Sequence, residues 1–99
     1  MKAKENANAV AIALEFEGMT EKTYNKLLKE AVPSGGLTKG DLFHVAGPIE
    51  GGFKVVNVWE SQALLDNFFQ TVMGPALQKT GIAQPKVQIW PVHRLISGK

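Results

Sequence analysis

Ninety-nine residues and 10.8 kDa accommodate one hydrophobic core, and two cores sharing this length would both be marginal. A 44% hydrophobic share, 20% charged residues and a mean hydropathy of −0.05 exclude a disordered or fibrous chain, and a net charge of +2 excludes the dense basic field of a nucleic-acid binder. The absence of cysteine removes disulfides, thiolate metal sites and cysteine nucleophiles.

The sequence has no apolar run approaching the roughly 20 residues of a membrane span. Met1–Asn8 lacks the apolar centre of a secretory signal. Residues 1–8 read as a flexible lead-in to a single domain over 9–99, and a cytoplasmic location without membrane partners is expected.

Val10, Ile12, Leu14 and Phe16 alternate with Ala11, Ala13 and Glu15, the period of a strand. Thr20 is placed to cap a helix, with Glu21 in its first turn and Tyr24, Leu27, Leu28 and Ala31 along one stripe. Pro33 and the following glycines end it. Asp41–Gly47 and Phe53–Trp59, joined by the turn segment 48–52, predict a hairpin.

Ser61 is placed to cap a second helix that buries Leu64, Leu65, Phe68, Phe69 and Val72. Gly74-Pro75 predicts a break, followed by a short helix ending at Gly81. Lys86–Ile96 predicts a fourth strand, with Pro91 forcing a bulge or an edge position. The order β-α-β-β-α-β predicts α+β class and a ferredoxin-like plait: a four-stranded antiparallel sheet with both helices on one face. On every strand, both alternating sets contain apolar residues, so the uncovered face predicts a homodimer.

If Gly47 lies opposite Gly52, His44 pairs with Val55 and Leu42 with Asn57, and one face collects His44, Phe53, Asn57 and Trp59. Phe43, Val45, Lys54, Val56 and Val58 then take the other face. A mid-strand histidine is either a hydrogen-bonded structural group or a proton-transfer group in a pocket. Asn57 needs partners for its amide, from the protein or from a ligand. Tyr24, Trp59, Trp90, Phe68 and Phe69 either line a cavity between helices and sheet or fill a packed core.

Phosphate-loop, dinucleotide, zinc-protease and nucleophile-elbow motifs are all missing from the sequence. Two histidines without cysteine make a weak metal set, so neither a metal nor a cofactor is expected.

Phe43-His-Val-Ala-Gly-Pro48, Val58-Trp-Glu-Ser61 leading to Phe68-Phe69, Gly74-Pro-Ala-Leu77 and Trp90-Pro-Val-His93 resemble the dimeric α+β barrel superfamily. The likeness is to its small antibiotic biosynthesis monooxygenase-like members. This resemblance implies a homodimer with sheets packed back to back and, in each subunit, a cavity for a small apolar or aromatic molecule. It also implies cofactor-independent oxidation as one use of such a cavity; on that reading the residues themselves suggest His44 as general base, Asn57 orienting the substrate, and Tyr24, Trp59, Phe68 and Phe69 as walls. Haem breakdown is disfavoured: Phe68 and Gln78 stand where haem-degrading relatives place a Trp and a His, and strand one has only Asn8 just ahead of it. The alternative is a non-catalytic, stress-associated or ligand-binding dimer module whose cavity is packed.

Overall fold

Alternation of large and small side chains makes Val10–Glu17 the central strand β1 of a computed structural model that describes residues 8–33 and 35–96. The expected lead-in therefore lies, apart from Asn8, outside the described residues. Thr20 begins helix α1, Glu21–Ala31, by accepting from the Thr23 amide at 3.2 Å. Leu27 and Ala31 of its apolar stripe are buried, while Tyr24 and Leu28 are half-buried. Strands β2, Asp41–Ile49, and β3, Gly52–Trp59, form the hairpin. Helix α2 spans Gln62–Phe68, and Ser61 accepts from the Leu64 amide at 3.2 Å.

The expected break at Gly74-Pro75 is replaced by a wider turn. Phe69–Met73 forms a π-helical segment that runs directly into α3, Gly74–Thr80, where Pro75 occupies the first turn and Gly81 closes the end with φ +72°. The Gly74 amide donates to the Phe69 carbonyl, so the extra residue in the turn absorbs the proline without ending the helix. Lys79 of α3 meets Glu30 of α1 at 3.3 Å.

β4 is shorter than expected, covering Lys86–Pro91. Proline supplies no ladder amide, and pairing to the first strand lapses after the Val92 amide reaches the Ala9 carbonyl at 3.0 Å. The sheet order is β2-β3-β1-β4 with every neighbouring pair antiparallel, and this is the expected ferredoxin-like plait. Pro91 sits on an edge strand. Among the described residues, no helix is long and apolar enough to cross a membrane.

The core lies between sheet and helices and is centred on Trp59, Ile12, Leu65 and Leu77, each almost wholly buried. The opposite sheet face carries Phe43, Val45 and Trp90 at 41%, 50% and 40% exposure. Trp90 pairs with Ala11, which places it on that outer face and away from the space between helices and sheet.

Candidate functional site

A cavity of about 240 Å³ separates α1 and the Phe68–Met73 segment from the helix-facing side of β1, β2 and β3. Most of its wall is apolar, from Leu14, Phe16, Leu27 and Met73 together with the aromatic side chains. Tyr24, His44, Asn57, Trp59, Phe68 and Phe69, the six residues singled out from the sequence, all line it. Trp59 packs on Phe68 with ring centres 5.0 Å apart, and Phe68 meets Phe69 edge-on at 6.2 Å. Tyr24 stacks on Phe53 at 5.1 Å and on His44 at 6.2 Å.

The hairpin register differs by two residues from the symmetric expectation. Ile49 pairs with Gly52 across a tight Glu50-Gly51 turn, so His44 pairs with Asn57 and Ala46 with Val55. A slip of two preserves the side of every side chain, so His44, Phe53, Asn57 and Trp59 still share the covered face.

The polar end of the cavity contains one residue that alternation misplaces. Phe43 and Val45 point outward, and strict alternation would send Asp41 with them. Leu42 has no partner in the ladder: Asp41 lies opposite Trp59 and Phe43 opposite Val58. This one-residue bulge turns Asp41 onto the cavity side. The bulge also frees the Phe43 amide, which donates to Asp41 Oδ1 at 3.3 Å. The nearest signal in the sequence is the short polar residue beside Gly40, which marks a strand end without indicating a bulge.

Four side chains make a continuous chain. Asn57 Nδ2 donates to Asp41 Oδ2 at 2.8 Å and lies 3.0 Å from His44 Nδ1, while His44 Nε2 lies 2.6 Å from Tyr24 Oη. Asn57 is 8% exposed, and its amide nitrogen is fully occupied by Asp41 and His44. Burial pushes the Asp41 carboxyl above its ordinary range, against the opposing pull of the Asn57 amide, the Phe43 amide and nearby His44. Burial also raises the Tyr24 phenol. Among the described residues, no three His, Asp or Glu side chains converge in a way that would hold a metal ion.

Two solved structures share this arrangement of strands and helices. A protein described as an antibiotic biosynthesis monooxygenase from Chloroflexus aurantiacus J-10-fl superposes over 93% of this chain and 97% of its own, with a TM-score of 0.61 and 13% identity. SnoaB, a cofactor-independent oxygenase from Streptomyces nogalater, superposes over 93% of this chain and 100% of its own, with a TM-score of 0.66 and 9% identity. This chain has the antibiotic biosynthesis monooxygenase-like fold. No family model matches it, and no curated protein matches its sequence. At such identities the monooxygenase-like fold is what is shared, and activity has to be argued from the cavity itself.

Proposed function

We propose that this protein is a cytoplasmic homodimer that binds a small apolar or aromatic molecule in the cavity between its helices and sheet. The carrying observation is a largely apolar cavity of about 240 Å³ with one polar end, the usual makeup of a site that buries a small ligand and orients it through few groups. The outer sheet face supports pairing of two copies, since it exposes the apolar side chains of Phe43 and Val45 on edge strand β2 and of Trp90 on edge strand β4, either side of Ala11 and Val58.

A second reading is cofactor-independent monooxygenase-like chemistry on that molecule. It is favoured by the chain from Asp41 to Tyr24 and by the shared fold with SnoaB. Under it, His44 and Asn57 act from the cavity wall, with the Tyr24 hydroxyl 2.6 Å from His44 Nε2 and the Asn57 amide nitrogen 3.0 Å from Nδ1.

The test uses Trp90→Phe, which leaves Trp59 as the single tryptophan, on the cavity wall. Titration with planar aromatic or fatty compounds should produce a saturable change in Trp59 emission. A flat response across both classes sinks the binding reading and leaves the packed dimer module.

A further inference from the structure

The hydrogen-bond chain allows one more step, which rests on the cavity being a binding site. An ionised carboxylate only accepts, so Asn57 presents its NH2 to Asp41, as the 2.8 Å contact from Nδ2 to Oδ2 records. The same nitrogen lies 3.0 Å from His44 Nδ1. An amide NH2 has two hydrogens to give and accepts none, so Nδ1 is the bare, accepting nitrogen of the ring. A neutral imidazole with a bare Nδ1 holds its proton on Nε2. That N–H donates to Tyr24 Oη at 2.6 Å, and the phenolic hydrogen must then turn away from His44. Tyr24 lines the cavity, so the direction left to its hydrogen includes the space a ligand would fill.

We infer that Asp41 is a positioning residue that acts through Asn57 and His44 to leave Tyr24 as a hydrogen-bond donor to the cavity, and that the ligand is an apolar molecule bearing an acceptor oxygen, either a ketone or the oxyanion of an ionised phenol or enol. The resting site is set to hold such an oxygen rather than to take a proton from a neutral hydroxyl. Other titratable groups do not compete for this role: Tyr24, Asp41 and His44 are the titratable side chains among the described lining residues.

Two measurements on the full chain test this. Long-range proton–nitrogen correlation spectra of nitrogen-15-labelled protein read the His44 tautomer directly. The wild type should show the Nε2–H form. Asp41→Asn, whose amide can either donate or accept, should introduce the Nδ1–H form. Calorimetry then compares indane with indanone, bicycles of one shape that differ by a ketone oxygen. Indanone should bind the wild type about tenfold more tightly than indane, the worth of one well-placed hydrogen bond. Tyr24→Phe should bring the affinities for the two bicycles within about twofold of each other. An Nδ1–H tautomer in the wild type overturns the inference, and so does equal binding of the two bicycles, with the cavity reading left standing in either case. Binding of neither bicycle overturns the cavity reading and the ligand preference together.

Discussion

Asp41 and Asn57 meet at 2.8 Å from ladder positions that do not face each other: Asp41 lies opposite Trp59, and Asn57 lies opposite His44. The contact is a diagonal one across the β2–β3 pair, within reach because the bulge at Leu42 turns the carboxylate inward. It joins the strand end to the cavity and gives the buried Asn57 amide its acceptor.

Asp41→Ala removes that acceptor and leaves a buried amide hydrogen with no partner, at a cost of about 1–3 kcal/mol. The same change frees the Phe43 amide at the bulge. Urea unfolding at neutral pH should show the loss, whereas an unchanged midpoint would mean that the contact contributes nothing to the folded state.

Stability should also depend on pH through Asp41. Burial raises its folded pKa above the ordinary 3.8, so between the two values the folded chain holds more proton than the unfolded one. The contribution of the protonated acid is complete below the unfolded pKa and fades as pH rises through the folded one. The unfolding free energy of the wild type should therefore fall relative to Asp41→Asn as pH climbs from about 3.8 through the weakly acidic range. A difference that rises over this interval would contradict the burial argument.

Gly52 has no room for a side chain, because an added Cβ would run into the Phe16 carbonyl oxygen of the neighbouring strand. Gly52→Ala must push β1 and β3 apart at the hairpin end and should cost about 1–3 kcal/mol. Gly47 has open space where its Cβ would go, so Gly47→Ala should stay within about 0.5 kcal/mol. Similar thermal midpoints for the two variants would show that the strands separate freely there.

The outer sheet face offers the clearest test of pairing. Val45 is 50% exposed beside Phe43 and Val56, and a glutamate there would bury charge in any sheet-to-sheet dimer. The wild type should sediment at twice the 10.8 kDa chain mass at micromolar concentration, and Val45→Glu at the chain mass with its fold retained. A wild-type particle at the single-chain mass would remove the dimer.

Much of this molecule is legible in the sequence because local chemistry dictates it. Thr20 and Ser61 cap helices where short hydroxyl side chains precede apolar stripes, and the period-two runs become strands. Their order selects the plait. The cavity side of His44, Asn57 and Trp59 is also readable, since a register wrong by two residues keeps every side chain on its proper face.

Other features depend on pairing between distant segments. Asp41 joins the cavity because Leu42 drops out of the ladder, and counting by twos cannot detect an extra residue before the partner strand is in place. The wide turn at Phe69–Met73 keeps the helix running through Gly74-Pro75, where local preference predicts a stop. Composition and periodicity report which face of an element avoids water. The hydrogen-bond chain from Asp41 to Tyr24 joins three elements, and only their packing brings its four polar groups within bonding distance.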